Sequence, residues 1–584
     1  MNIFRGMRRR GADALRRHRA GVVAIAWSAL VMGIQGARLG RWIVDDAGIS
    51  FAYARNLAEG HGPVVQAGAA PVEGYSDPTW VAVLTIGRLL GLFDHGAWFG
   101  VPDYVLYPKA VALLCVAGIL ICFYAACLAL LPSRRTAAVV TAGAGTALAF
   151  VPAFVIWSFS GLENPLYALL ITAVAVLLLR SVVDGSDASR GADGSSRLLS
   201  RRTALAVGVL AGLTALTRPD GIIYVTVYPV VVLLLVRRSQ IREAIRSCGF
   251  FALTALGIPG VYELWRRLEF GRWLPNTAVA KAQASPAVDD LNRVSDVLQY
   301  PGLVISLVAV AVVVAGLAAV PALRRPMTAI LVPLSVALVA YCLLNQDWMG
   351  QLRFSTPVWP LAVLATALCT ARLVVKQGLR RRIGLVGGLA GAVYLAWGVT
   401  GPMLSDSAAR PVVPLCVVAN ENGELFNEFA DIAGVQHGSL LLPDLGGTAL
   451  TSRLQLRDTA GLVDATVADY LHKQDLAGLR DYIFDTMRPT FIQTHGAWSP
   501  TLMSGPGFDP RMLRDYTQIY PSAPAVPSAS SDWVRTSDLK DPSVVAKLRA
   551  YAKTAVAGQA RFERRTPVGD CTARLSVGEA LARH

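Results

Sequence analysis

Two adjacent carboxylates, Asp45 and Asp46, lie directly after the first long apolar run of the chain. An acidic side chain at a membrane boundary is costly, and acids in such positions commonly serve a function. A carboxylate there can take a proton from an attacking hydroxyl group. Neighbours in a helix point about a hundred degrees apart, so we predict one catalytic base and one orienting partner. The alternative for Asp46 is a cap for the helix that follows.

The loop after this helix reads EGYSDPTW and carries Glu73, Tyr75 and Asp77. Carboxylates accept hydrogen bonds from sugar hydroxyl groups, and a tyrosine ring can stack on the apolar face of a sugar. We therefore predict that this loop contacts a sugar. The alternative for Asp77 is an N-terminal cap, because Pro78 suits the first position of a helix.

Three basic residues, Arg218, Lys281 and Arg353, fall in polar segments at the ends of apolar runs. Arginine binds phosphate through two parallel hydrogen bonds, and lysine binds it as a point charge. We predict that these cations hold a phosphate group. Two alternatives remain: Arg218 could pair locally with Asp220, and Lys281 could extend to lipid headgroups.

The elements that must position these residues are membrane helices. The chain has 584 residues, of which 54% are hydrophobic and 16% charged, and it contains repeated apolar runs long enough to cross a bilayer. Its net charge of +15 comes from Arg and Lys residues clustered between those runs, which is how charge sets orientation in a membrane. We therefore expect membrane lipid as a partner and no nucleic acid.

The charge pattern predicts a polytopic α-helical protein of about eleven spans. Span 1 covers about 21–42 and span 2 covers Tyr107–Leu131, whereas Thr79–Phe93 is short and contains Arg88, which predicts an interfacial or re-entrant helix. With that choice, most basic clusters fall on the cytoplasmic side. The predicted domains are a basic cytoplasmic tail at 1–20, a membrane domain at 21–402 with its first external loop at 43–106, and an extracytoplasmic α/β domain at 403–584.

The cysteines divide into two groups. Six lie in or beside apolar runs, whereas Cys416 and Cys571 lie in the polar C-terminal part. If that part is extracytoplasmic, a Cys416–Cys571 disulfide is plausible, the alternative being two free thiols. The chain has no HxxxH or CxxC pattern, so the sequence predicts no metal site and requires no cofactor, although a divalent cation could bridge carboxylates and phosphate.

Six motifs occur in order between about residues 40 and 360: DDAGISFAYARNLAEGHG, EGYSDPTW, SFSGLENPL, LTRPDG, WLPNTAVAK and QDWMGQLRF. The ordered set resembles the GT-C superfamily of membrane glycosyltransferases. Within that superfamily it looks most like actinobacterial enzymes of cell-envelope assembly, including the terminal arabinofuranosyltransferases. The later segment GLVDATVADYL is similar to a motif in the extracytoplasmic domains of related proteins.

This resemblance implies an inverting glycosyltransferase of the bacterial plasma membrane with an extracytoplasmic active site. Its donor would be a polyprenyl-phosphate sugar, with arabinofuranose favoured, and its acceptor an envelope glycan or glycolipid. By resemblance, Asp45 is the favoured base. The resemblance also implies sugar-orienting or acceptor-binding residues, namely Glu73, Tyr75, Asp77, Glu163, Asp220, Asn276, Asp347 and Trp348.

Three other functions are consistent with the same pattern. The protein could be a mannosyltransferase of the same superfamily that acts on lipoglycan or protein. It could be a transporter or flippase for a lipid-linked sugar, although transporters commonly show internal repeats and charged groups at mid-membrane, and neither is evident here. It could also be a non-catalytic scaffold whose external domain binds glycan.

Overall fold

The computed structural model describes residues 18–188, 197–281, 287–375, 379–521, 530–565 and 575. Helices dominate up to residue 409, in agreement with the apolar runs of the sequence. In chain order they are α1 (Arg19–Ala37), α2 (Asp45–Ala58), α3 (Pro78–Leu89), α4 (Asp103–Leu130), α5 (Arg134–Ala149), α6 (Pro152–Ser158), α7 (Asn164–Ala188), α8 (Arg201–Thr217), α9 (Val227–Leu235), α10 (Ile241–Phe270), α11 (Asn276–Ala280), α12 (Val294–Gln299), α13 (Leu303–Ala319), α14 (Pro321–Leu343), α15 (Val358–Val375) and α16 (Leu379–Ala409).

Six helical segments in the described residues are long and apolar enough to span a bilayer. Two further pairs, α5 with α6 and Val288–Gln299 with α13, pass the same test together but are bent by 79° and 99°, as in a broken span or a re-entrant loop. A multi-pass membrane protein is therefore confirmed. The other three predicted spans fall on α8, on Pro219–Leu235 and on α16. The six segments are Arg19–Ala37, Asp103–Leu130, Asn164–Asp184, Arg238–Phe270, Pro321–Leu343 and Val358–Val375.

The segment between the first two spans contains two helices and a small hairpin. Helix α2 begins at Asp45, so both acids lie in its first turn. Helix α3 has 12 residues, too few to cross a bilayer, which agrees with the interfacial prediction for this segment. The hairpin pairs β1 (Ala97–Trp98) with β2 (Val101–Pro102) and leads directly into α4.

The polar C-terminal part is built around a five-stranded mixed sheet with the strand order β4-β3-β5-β9-β8. Strand β3 pairs in parallel with β4 and β5, whereas β9 is antiparallel to both β5 and β8. Strands β3 (Ser439–Leu442) and β5 (Phe491–Thr494) are mostly or fully buried. The remaining strands are β4 (Gln455–Asp458), β6 (Met503–Ser504), β7 (Gly507–Phe508), β8 (Tyr516–Tyr520) and β9 (Ser531–Arg535).

Short helices surround this sheet and connect it to the membrane part. They are α17 (Leu415–Val418), α18 (Leu425–Ala433), α19 (Gly446–Thr451), α20 (Ala465–His472), α21 (Leu476–Asp481), α22 (Pro510–Asp515) and α23 (Ser543–Arg565). One continuous apolar core runs from the membrane helices through α2 to the first strands of the sheet. We call residues 410–565 the C-terminal region.

Candidate active site

A cavity of about 370 Å³ opens where the first loop, the ends of several membrane helices and the C-terminal region meet. Four acids and three bases of the predicted site line it, which brings together segments from all six motifs. The lining residues are Asp46, Ile49, Ser50, Gly74, Tyr75, Ser76, Asp77, Leu162, Glu163, Arg218, Pro219, Asp220, Thr277, Ala278, Lys281, Leu344, Arg353, Phe354 and Leu462.

The two adjacent acids have different surroundings. Asp46 lines the cavity, and no described residue makes a hydrogen bond or ion pair with its carboxylate. It does not cap α2, because that helix already begins at Asp45. An unpaired carboxylate at a cavity wall can accept a proton from a bound hydroxyl group.

The structure does not place Asp45, the favoured base, in the lining of the cavity. Asp45 is 5% exposed and lies outside the cavity lining. Its oxygens accept hydrogen bonds from the backbone N–H groups of Gly447 at 2.7 Å and of Gly446 at 3.1 Å. Burial, together with the Asp444 carboxylate, raises the pKa of Asp45. Both carboxylate oxygens of Asp45 are thus hydrogen-bonded to the C-terminal region.

Arg218 is the centre of a buried charge cluster on one wall. Its Nη1 donates to Glu163 at 2.8 Å and its Nε donates to Asp220 at 2.9 Å. Tyr167 completes the cluster by donating to Asp220 at 2.9 Å. The predicted local pair between Arg218 and Asp220 is therefore present. Because two acids already neutralise Arg218, it has little charge left for a ligand.

Arg353 approaches the same wall from the segment before α15. It forms ion pairs with Asp347 at 3.3 Å and with Glu163 at 3.6 Å, and it stacks beside Phe354. The Nε of Arg353 is buried and has no hydrogen-bond partner among the described residues. The Arg353 guanidinium lines the cavity, so an anionic oxygen bound there can pair with its charge.

Lys281 is the third cation of the cavity. It follows α11, is exposed, and makes no ion pair with any described residue. Lys281 and Arg353 are thus two cations of the cavity that can pair with a phosphate, and the Nη2 of Arg218 also makes no hydrogen bond to a described residue.

Asp77 lies immediately before α3 and lines the cavity. It makes no side-chain cap on that helix. Its two oxygens instead accept from the Ser50 hydroxyl at 3.0 and 3.1 Å. Burial, together with the nearby Glu163 carboxylate, raises the pKa of Asp77 to about 7. Asp77 therefore differs from Asp46 in being buried and already hydrogen-bonded.

Four other predicted sugar-binding residues lie outside the cavity lining. Glu73 is 2% exposed and pairs with Arg266, while Asn276 is 1% exposed and bonds to the C-terminal region. Asp347 supports Arg353, and Trp348 is 63% exposed. Glu73 and Asn276 are thus occupied by protein partners, which corrects their predicted role as sugar ligands.

Sequence reasoning missed several residues that shape the site. Ser50 holds Asp77, Tyr167 holds Asp220, and Phe354 covers the Arg218 guanidinium at 4.6 Å from its ring centre. Tyr167 follows the SFSGLENPL motif by one position and Ser50 lies within the first motif, so both were close to an available signal. Arg266 gave no such signal, because its partner Glu73 is 193 positions away.

No group of three or more His, Cys, Asp or Glu residues in the described ranges has the geometry to hold a metal ion. Cys416 is disulfide-bonded. Its predicted partner, Cys571, lies outside the described residues.

Two curated relatives match part of the chain. The chain is 30% identical over 258 residues to the terminal β-(1→2)-arabinofuranosyltransferase of Corynebacterium glutamicum, a match covering 42% of this chain and 34% of the relative. It is 29% identical over 248 residues to the protein of the same name from Mycobacterium tuberculosis, covering 42% of this chain and 35% of that relative. The chain thus spans about a third of the length of the curated relatives it matches. No protein-family model matches the chain.

Among solved structures, the fold is similar to that of ArnT from Cupriavidus metallidurans, which was solved bound to undecaprenyl phosphate. The TM-score is 0.53 at 13% identity, and the match covers 89% of this chain and 99% of ArnT. The chain is thus similar over part of its length to two named arabinofuranosyltransferases, and it shares its overall fold with ArnT.

Proposed function

We propose that this protein is an inverting glycosyltransferase that moves a monosaccharide from a polyprenyl-phosphate donor to an envelope glycan or glycolipid. The observation that carries the proposal is one cavity holding an unpaired carboxylate, Asp46, together with two cations that can pair with a phosphate, Lys281 and Arg353. The similarity to terminal arabinofuranosyltransferases favours arabinofuranose as the sugar. The undecaprenyl phosphate bound to ArnT favours a lipid phosphate as the leaving group.

The reaction is a single displacement at the anomeric carbon. The acceptor hydroxyl oxygen forms the new bond to that carbon while the bond between the carbon and the phosphate oxygen breaks. The hydroxyl proton passes to Asp46, and the phosphate leaves with the bonding electron pair. Lys281 and Arg353 neutralise the charge that develops on the leaving oxygen.

The other cavity acids are paired with protein groups, which favours a mechanism that inverts the anomeric configuration of the sugar. A retaining enzyme needs a second carboxylate free to attack the sugar. Glu163 and Asp220 are held by Arg218, and Asp77 is held by Ser50. Asp46 is thus the single cavity carboxylate with no described partner, which suits it to act as a base in one displacement. Arg218 then serves to fix the two acids and only indirectly the substrate.

The experiment is transfer of radiolabel from decaprenyl-phosphate arabinofuranose to an envelope glycan acceptor by the purified protein. Asp46→Asn keeps the side-chain size but cannot take the proton, so kcat should fall by about 100-fold or more. Glu59→Gln is the matched control, because Glu59 caps the other end of α2 and lies outside this cavity. The anomeric configuration of the product, read by NMR, tests inversion.

Two results would contradict the proposal. If Asp46→Asn and Glu59→Gln turn over equally well, Asp46 is not the base. If proteoliposomes move the labelled donor across the bilayer but no label reaches any acceptor, a flippase is the better description.

A further inference from the structure

Two sets of hydrogen bonds join the C-terminal region to segments that carry cavity residues. We call the first the Asp45 clamp, made of Asp45 with Gly446 and Gly447. We call the second the Asn276 clamp, made of Asn276 with Gly461 and Leu462. The first clamp includes the residue next to Asp46, and the second holds the short helix that precedes Lys281.

The Asp45 clamp holds the start of α2 from several directions. Besides the two bonds to its carboxylate, the Asp45 backbone N–H donates to the Val413 carbonyl at 2.9 Å. The packing is so close that a Cβ on Gly446 would lie 1.8 Å from the Asp45 carbonyl oxygen. A Cβ on Gly48, one turn later, would lie 2.5 Å from the Gly446 carbonyl carbon. Only glycine fits at these contacts, so the first turn of α2 cannot shift without moving the C-terminal region.

Asp46 is the next residue in that turn. Its carboxylate has no described partner, so its position in the cavity follows from the backbone that the Asp45 clamp fixes. A displacement of a catalytic group by about 1 Å can cost a hundredfold in rate. The clamp therefore acts on the proposed base through one peptide unit.

The Asn276 clamp holds the first residue of α11. The Asn276 Nδ2 donates to the carbonyls of Gly461 at 2.6 Å and Leu462 at 3.0 Å, and its backbone N–H donates to Glu73 at 3.1 Å. Helix α11 is only five residues long and ends at Ala280, immediately before Lys281. Such a short helix moves as a unit, so fixing its first residue sets where Lys281 stands.

The loop that receives Asn276 is itself rigidly held. Asp458 is fully buried and accepts from the N–H groups of Ala460 at 2.7 Å and Val463 at 2.9 Å. Leu462, between those two residues, lines the cavity. Outside the cavity, Arg272 adds a bidentate pair with Asp469 of α20. The C-terminal region thus reaches the cavity wall on the cation side as well.

We propose that the C-terminal region positions both halves of the site: through the Asp45 clamp it sets Asp46, and through the Asn276 clamp it sets Lys281. The inference rests on the proposed function and assigns positioning roles to Asp45 and Asn276. It predicts two separable defects, because the two clamps control different steps. Loss of the Asp45 clamp should slow the chemical step, and loss of the Asn276 clamp should weaken phosphate binding.

The test uses the full-length purified protein in detergent. Asp45→Asn turns an amide N–H group toward the backbone N–H donors of Gly446 and Gly447, whereas Gly446→Ala keeps Asp45 but displaces α2. Both variants should lower kcat by about tenfold or more, with the donor KM changed by less than about twofold. Asn276→Ala should instead raise the Kd for undecaprenyl phosphate by about tenfold. The binding measurement needs no acceptor and no turnover.

Gln66→Ala is the matched control. Gln66 also ties the first loop to backbone carbonyls of the C-terminal region, those of Ser452 at 3.3 Å and Leu454 at 2.9 Å, but it lies outside this cavity. It should lower Tm to a similar degree without changing kcat or the Kd for undecaprenyl phosphate. If the clamps are merely structural, the three clamp variants should resemble Gln66→Ala in Tm, in kcat and in the Kd for undecaprenyl phosphate.

Three outcomes would overturn the inference. One is that the changes in kcat and in the Kd for undecaprenyl phosphate follow the loss of Tm in every variant. Another is normal kcat in both Asp45→Asn and Gly446→Ala. The third is an unchanged Kd for undecaprenyl phosphate in Asn276→Ala. Failure of the proposed function is distinct, since the wild-type protein would then transfer no sugar while the binding comparison still tests the Asn276 clamp.

Discussion

Asp45 and Asp46 differ by one position in a helix, yet one is enclosed by protein and the other faces open space. The sequence predicts that adjacent helical residues diverge by about a hundred degrees. It cannot tell which one faces the cavity, because Gly446 and Gly447, some 400 positions away, decide that. The same limit explains Glu73 and Asn276, whose polar groups are used by distant partners.

The titration of Asp77 gives a prediction at this scale. Its pKa rises from 3.8 to about 7 on folding, so the folded protein keeps a proton that the unfolded chain releases. The folded state binds more protons between those values, and stability should therefore fall as pH rises through that window. In Asp77→Asn this loss is absent, so from pH 5 to pH 8 the variant should lose roughly 1–3 kcal/mol less stability than the wild type.

Thermal unfolding in detergent at the two pH values measures this difference. Asp406→Asn is a suitable control, because Asp406 is an exposed acid near the end of α16. Equal pH dependence in wild type and Asp77→Asn would show that Asp77 titrates near its ordinary value.

Arg353 gives a second prediction at the residue scale. Its guanidinium spans Asp347 and Glu163 while it lines the cavity, a geometry that a single ammonium group cannot reproduce. Arg353→Lys should raise the donor KM by about tenfold while the protein remains folded. Arg372→Lys, at the other end of α15, should leave the donor KM unchanged. Steady-state kinetics with varied donor concentration distinguishes the two variants.

At the scale of elements, the first loop is joined to α10 by a buried ion pair. Glu73 lies against Arg266, and Tyr262 donates to Glu73 at 2.8 Å and to Tyr75 at 3.2 Å. Tyr75 lines the cavity, so this pair fixes a cavity wall from behind. The sequence contains no signal for this pair, because 193 positions separate Arg266 from Glu73.

Breaking this pair should destabilise the fold rather than change substrate recognition. Glu73→Gln leaves Arg266 with only the half-exposed Glu263, so the variant should lose about 3 kcal/mol of stability. Adding Arg266→Met should recover part of the loss, because the uncompensated buried charge is then gone. Unfolding measurements on the single and double variants check this, and an unchanged Tm in Glu73→Gln would refute it.

At the scale of the whole molecule, hydropathy and charge were sufficient to predict a multi-pass helical protein and a polar α/β region. A long apolar run that crosses lipid must satisfy its backbone hydrogen bonds internally, which in practice requires a helix. This part of the fold therefore follows from composition. The bends of 79° and 99° were not predicted, because they depend on packing against neighbouring helices. The shared fold with ArnT agrees with the ordered motifs, although each motif alone is weak.

The orientation of the molecule is a prediction that cells can test. We expect the C-terminal region outside and the turn before α10 inside. Lys473→Cys in the C-terminal region should react with a membrane-impermeant maleimide in intact cells, whereas Ser239→Cys should react only after permeabilisation. Both positions are exposed. The reverse pattern would invert every span.

The tight glycine contact between α2 and α19 also bears on how such proteins diversify. A chimaera that grafts the sheet of a relative onto this membrane part would meet the Asp45 carboxylate with a foreign surface, and any side chain larger than hydrogen at position 446 would collide with the Asp45 backbone. Exchange of the two halves should therefore succeed only when residues 45–48 and 446–447 come from the same parent protein. Natural recombination would face the same restriction, so these two short stretches should be inherited as one unit.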